Sequence, residues 1–275
     1  MNLPFHQVHA FTREPGRGNP AGVYLLPEGE LDTPLSEDEY LQLLAIDRRL
    51  PETGFVRPRP EGYSLRWFTP KTELTLCGHG TLAAAHVLWE QGLLDPHAPA
   101  HFYTTAGLLS VRLLGDGWIE MDFPAFPLTS ATLPEAVTAT FAAREVYFAG
   151  DRYLVVLGTE TEVRAYAPDF EILKNHRLII TAPADATPAA AEGAAPRTRA
   201  AEGGNLDFVS RYFGVPLGVD EDPVTGSAHC ALAPYWAGRL GKTDLTAYQA
   251  SSRGGYLKLR LEGDRVKIAG QAITV

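Results

Sequence analysis

The heptad "TLCGHGT", Thr75 to Thr81, sets a thiol and an imidazole two residues apart among glycines, directly before the apolar run "LAAAHVLWE". Such a turn can offer a nucleophile, a base, or simply its backbone N–H groups. The first N–H groups of a helix lack intrahelical partners and carry the positive end of the helix dipole, so a helix start attracts a carboxylate. A second turn of this kind stands in "DPVTGSAHCALA", Asp222 to Ala233. A shift of 148 residues lays Glu73 on Glu221, Cys77-Gly78-His79 on Thr225-Gly226-Ser227, Ala83 on Ala231 and Ala85 on Ala233. The chain therefore reads as two copies of one domain related by a pseudo-twofold.

Four side chains can hold or move a proton: Glu52 in "LPETGFV", where a strand begins, and His79, Asp222 and Ser227 at these turns. Pro223 holds Asp222 extended just before the turn. Each also has a plain structural reading: a loop glutamate, a core or capping histidine, a helix N-terminal acid and an N-cap serine. The helix starts themselves, Gly78, Gly80 and Thr81 in the first copy and Thr225 and Gly226 in the second, could fix a substrate carboxylate if they faced each other across a cleft. Alternatively, the glycines only let core helices pack closely against strands.

Other motifs are missing from the sequence. "GRGNPAG" has the wrong spacing for a dinucleotide loop, and neither a phosphate-binding G-x-x-x-x-G-K-[ST] nor a G-x-S-x-G elbow occurs. The eight histidines never form H-E-x-x-H, and His6 and His9 point to opposite faces of one strand. Neither a metal nor a cofactor is expected.

These residues need a scaffold to hold them. Phe5 to Leu26 reads as two strands around a Gly/Pro loop, and "TGFVRP" and "YSLRWFT" read as further strands. Ser36 with Glu39 three residues on forms a capping box, which predicts a helix from about Glu37 to Asp47. Gly80 to Gln91 is apolar on every face, which predicts a buried helix stopped by Gly92. Residues 101–127 form a strand meander. Ala182 to Asn205, rich in Ala, Pro and Gly without periodicity, reads as a mobile surface loop. The expected domains are 1–118 and 119–275, the last strand being free to cross back to the first half.

The whole chain sets outer bounds. Its 275 residues carry 24 basic and 33 acidic side chains, a net charge of −9 that argues against nucleic acid or an anionic membrane as partner. No signal peptide or 18-residue apolar run is present, so a cytoplasmic protein with reduced Cys77 and Cys230 is expected.

"GNPAGV", "ETGFV", "RWFTPKTELTLCGHGT", "MDFPAFP" and "DEDPVTGSAHCALAPYW" follow one another in order, and together they resemble the phenazine-biosynthesis-type (PhzF-like) isomerases, relatives of diaminopimelate epimerase. The resemblance runs from about Phe5 to Val275. It implies an α+β fold of two pseudo-symmetric domains, each a curved, mostly antiparallel, barrel-like sheet around a central helix. It also implies one active site in the cleft between them, a small carboxylic-acid substrate and a homodimer. Carried over residue by residue, it makes Glu52 the proton-transferring acid and base, with His79, Asp222 and Ser227 positioning substrate and assisting, and Asn19 lining the site. Pro51 departs from the family, which often has serine there; this bears on the hydrogen bonding around Glu52.

Epimerases of this type use two thiols, one on each face of the carbon. Here Cys77 occupies the first position but Thr225 the second, and a hydroxyl is no base near neutral pH. Cys230 lies more than a turn further into its helix. A single carboxylate can instead take a proton from one carbon and return it to another, an isomerisation. Two alternatives stay open: an epimerase or racemase using Cys77, and a metabolite-binding protein without turnover.

Overall fold

The computed structural model describes residues 3–185 and 205–275. It divides into two units, Met1–Asp122 with Ala269–Val275, and Phe123–Ile268. The first boundary falls after Asp122 rather than after residue 118, because Ile119 and Met121 still pair with the preceding strand.

The first unit opens with β1 (Phe5–Ala10) and β2 (Asn19–Leu25), an antiparallel hairpin. Helix α1 (Glu37–Arg48) follows, with the Ser36–Glu39 capping box formed as the sequence requires. Then come β3 (Glu52–Arg59), β4 (Gly62–Phe68), the short β5 (Glu73–Leu74), helix α2 (Gly78–Glu90), β6 (Ala100–Thr104), β7 (Gly107–Leu113) and β8 (Ile119–Pro124). Strand β2 runs parallel to β3 and β4 parallel to β6; the other pairings are antiparallel. The terminal strand Ala272–Thr274 joins this unit by pairing with β1. Helix α2 packs on β1, β2 and β3. Its residues 79–85 are all buried, and the run Ala83-Ala84-Ala85 keeps the helix thin enough for the strands to close around it. On α1, Leu41 and Ala45 cover a separate cluster with Tyr24, Phe55 and Phe68.

The second unit repeats this order. Strands β9 (Thr129–Ser130), β10 (Glu145–Ala149), β11 (Arg152–Val156), β12 (Leu178–Pro183), β13 (Phe208–Gly214), β14 (Val219–Asp222), β15 (Asp244–Gln249), β16 (Gly255–Glu262) and β17 (Arg265–Gly270) enclose helices α3 (Glu135–Thr138), α4 (Glu160–Ala165), α5 (Phe170–Leu173) and α6 (Gly226–Leu240). Strand β11 is parallel to β12 and β13 to β15, with antiparallel pairs β10–β11, β12–β13, β13–β14 and β15–β16. Strand for strand, this is the pattern of β1 to β7, and α6 begins at Gly226 as α2 begins at Gly78.

A repeated ion pair marks the same correspondence. Arg66 forks onto Glu73 with two bonds of 2.7 Å, and Arg211 forks onto Glu221 at 2.7 and 2.9 Å. The glutamates matched by the 148-residue shift thus tie β5 to β4 and β14 to β13, and so set the entry to each central helix.

Along β13, Val209 and Phe213 enter a cluster with Val155, Ile180 and α4, whereas Phe208 stacks on Trp236 of α6 with ring centroids 5.4 Å apart. The sheet is therefore buried on both faces. The sheets are open rather than closed into barrels among the described residues. Of the expected mobile loop, Ala182 and Pro183 instead end β12, while 186–204 lie outside the described residues. No helix among the described residues is long and apolar enough to cross a membrane.

Helix α6 contains a buried histidine that the sequence did not single out. His229 donates from Nδ1 to the Thr225 carbonyl at 2.8 Å, so its bare Nε2 lone pair is left without a hydrogen-bond partner. Burial holds its pKa down at about 4, although the backbone bond favours the charged form. An unfolded histidine titrates near 6.5. Between these values the unfolded chain binds the extra proton, so the stability due to neutral His229 is present above about pH 6.5 and lost as pH falls toward about 4. Wild-type protein should lose about 2 kcal/mol more between about pH 7 and 4.5 than His229→Gln, measured by urea denaturation. Equal losses would show that the ring does not stay neutral.

Candidate active site

Parallel strands start at the same end of a sheet, so the β2–β3 pair brings Asn19 and Glu52, the first residues of each strand, to the end where α2 begins. Cys77 is the N-cap of α2, its Sγ accepting from the Gly80 N–H at 3.3 Å. His79, in the first turn, is 5% exposed. Its Nε2 lies 2.7 Å from Glu52 Oε2, its Nδ1 3.3 Å from Asn19 Nδ2 and 3.7 Å from Cys77 Sγ. The Nε2–Oε2 contact is at ion-pair distance but out of line for a hydrogen bond, and neither atom has another hydrogen-bond partner. The Glu52 side chain is 13% exposed, enclosed but reachable.

Burial disfavours charge on His79, but Cys77 and Glu52 outweigh it and hold the imidazole pKa well above its usual value. Burial pushes the Cys77 thiol up despite the nearby imidazole, and Glu52 adds to the rise. The raised imidazole needs a negative neighbour, and of its two candidates Glu52 stands nearer, 2.7 Å away against 3.7 Å for the Cys77 sulfur. The arrangement is an enclosed carboxyl beside an imidazole at the positive end of a helix.

Three predicted lining residues have local tasks. The Thr81 hydroxyl donates to the Cys77 carbonyl at 2.6 Å. A Cβ at Gly80 would stand 2.8 Å from Trp67 and 3.0 Å from Cys77 Sγ, so this glycine lets the helix start approach the sheet. Gly78 opens the helix. Trp67, missed by the sequence reading, leaves its buried indole N–H without a hydrogen-bond partner beside this turn.

In the second unit, Asp222 ends β14 and Thr225 is the N-cap of α6, Gly226 and Ser227 following. The Thr225 hydroxyl donates to the Asp222 carboxylate. Gln249, fully buried, accepts from the Thr225 N–H at 2.8 Å and donates to the Asp222 carbonyl at 2.7 Å. Arg152 donates to Ser227 Oγ at 2.9 Å and is itself paired with Asp151. Gln249 and Arg152 come from strands remote in sequence and belong to no local motif, so reading the chain linearly could not find them. Both cysteines are free; Cys230 is buried and pushed up to about 12, an inert thiol.

The architecture is mixed α+β, two topologically repeated units each built around a buried helix. A structure described as a probable proline racemase from Agrobacterium radiobacter K84 shares this fold with a TM-score of 0.63, at 11% identity over 100% of this chain and 91% of that one. The phenazine biosynthesis-like family pattern matches residues 8–275, and the chain belongs to that family. An "uncharacterized isomerase" of Halalkalibacterium halodurans is 40% identical over 281 residues, covering 100% of this chain and 97% of the relative. A crystal structure of a phenazine biosynthesis protein PhzF family member from Enterococcus faecalis has a TM-score of 0.86 and 36% identity, covering 100% and 97%. These similarities place the chain among isomerase-type enzymes.

Proposed function

We propose that this protein is a cofactor-independent isomerase in which Glu52 removes a proton from carbon in a small carboxylic acid and returns it to another carbon of the same molecule. The observation that carries this reading is the 2.7 Å approach of Glu52 Oε2 to His79 Nε2, both buried and otherwise without hydrogen-bond partners. A carboxylate held this way is oriented and kept from bulk water, yet one oxygen remains to take a proton. The imidazolium beside it stabilises negative charge as it develops on the substrate, and the N–H groups at the start of α2 act in the same sense. Once protonated, Glu52 is the acid for the second step, so proton and charge return to their starting state. For Asp222 and Ser227, which belong to the second unit, the positioning role is the one that the family resemblance implies. Burial, which pushes the Cys77 thiol up, disfavours the epimerase alternative, which needs a thiolate base.

Incubating the protein with small unsaturated or amino-bearing carboxylic acids in deuterium oxide tests this reading. At least one acid should take up solvent deuterium with a shift of its double bond or functional group, read by mass spectrometry. Binding without any incorporation would support the non-catalytic alternative and overturn the proposal.

A further inference from the structure

Glu52, Cys77 and His79 each offer one donor atom, and these three atoms lie within 4.8 Å of one another. Thiolate sulfur, imidazole nitrogen and carboxylate oxygen are the donors that zinc takes, at about 2.3 Å for sulfur and about 2.0–2.2 Å for nitrogen and oxygen. Around a tetrahedral ion such donors stand about 3.3–3.7 Å apart. His79 Nε2 is 2.7 Å from Glu52 Oε2 and its Nδ1 3.7 Å from Cys77 Sγ, so the trio closes on an ion as the ring and the Glu52 carboxyl turn about their side-chain bonds. Asn19 stands 3.3 Å from Nδ1 of the ring, so that with its amide turned to set Oδ1 toward Nδ1–H it serves as an outer partner and Nε2 is the metal-facing atom. An outer partner on the other ring nitrogen is what metal-ligating histidines ordinarily have.

Charge points the same way. A Cys77 thiolate and the Glu52 carboxylate together neutralise a dication, and a buried charge is tolerated only when so paired. The sulfur donor selects thiophilic ions over magnesium or calcium. Three protein ligands leave a fourth position open, the pattern of an exchangeable site.

We propose that Glu52, Cys77 and His79 bind one thiophilic divalent cation, zinc(II) being the natural candidate, and that its binding silences the enzyme by occupying the proton-transferring carboxylate. Binding displaces the thiol proton to solvent and involves no redox step. The binding claim stands on the geometry; the inhibition claim rests on the role of Glu52 proposed above.

Titration of the full-length protein with cobalt(II) chloride tests the site. A near-ultraviolet thiolate-to-cobalt charge-transfer band should grow to one equivalent and vanish when zinc chloride is added. Cys77→Ala should abolish the band, and Cys230→Ala should retain it. Glu52→Gln should keep the band but weaken zinc binding by at least the roughly 10–100-fold that loss of an outer partner costs. No band in the wild type, a band surviving Cys77→Ala, or zinc affinity unchanged in Glu52→Gln would overturn the site. Because these readouts need no turnover, their failure leaves the isomerase reading untouched. Stoichiometric zinc should also stop deuterium uptake, and uptake persisting in the zinc-saturated protein would overturn the inhibition.

Discussion

Glu52→Gln should lower the rate of substrate hydrogen exchange with solvent by roughly 10²–10⁴-fold, equivalent to about 3–5.5 kcal/mol of barrier. Glutamine fills the same volume at the start of β3 and can still face His79, but its amide neither accepts a proton from carbon nor returns one. The loss should appear in turnover rather than in folding, because the start of α2 is capped by Cys77 and does not depend on Glu52. Mass-spectrometric exchange assays on the wild type and variant, with circular dichroism as a control for folding, decide the matter. Exchange at the wild-type rate would remove Glu52 from the reaction.

The second large effect concerns the loop that delivers Asn19. Gly18 has φ +65°, and a Cβ there would stand 2.2 Å from the Ala10 carbonyl oxygen and 2.6 Å from Thr12. Gly16, two residues earlier, has φ +81° with nothing within 4 Å of its would-be Cβ. Both alanine variants meet the left-handed penalty of about 1–2 kcal/mol. Only Gly18→Ala adds a collision with backbone, which cannot rotate away, costing about 1–3 kcal/mol more. Gly18→Ala is expected to lower Tm by roughly 6–12 °C, and Gly16→Ala by less than half of that, in scanning calorimetry. Equal shifts would mean that the loop relaxes without cost. Because Asn19 is adjacent, Gly18→Ala should also loosen His79 and reduce exchange more than its effect on stability explains.

Local structure was legible where neighbouring residues carry the signal. The Ser36–Glu39 box, the all-apolar α2 and the alternating strands β3 and β4 each depend on contacts within one or two turns of chain. The 148-residue repeat was legible too, because two copies of one topology must bury the same small-residue helix in the same way. What the repeat meant for Glu73 and Glu221 was not, since their arginines stand on a neighbouring strand, and only strand pairing shows that these acids are clamps.

The order of residue types along the chain was enough to mark two similar halves with helices opening at the Gly78 and Gly226 turns, while Glu52 as the candidate base came from the family resemblance. Periodicity, capping and motif order are written in nearest neighbours and survive without a fold. Tertiary structure alone decided that Glu52 meets His79, that Cys77 caps the start of its helix, and that Gln249 and Arg152 support the second turn. Those facts depend on burial and on contacts between residues tens of positions apart, and the free energy of a charge or thiol follows what surrounds it in space rather than what precedes it in sequence.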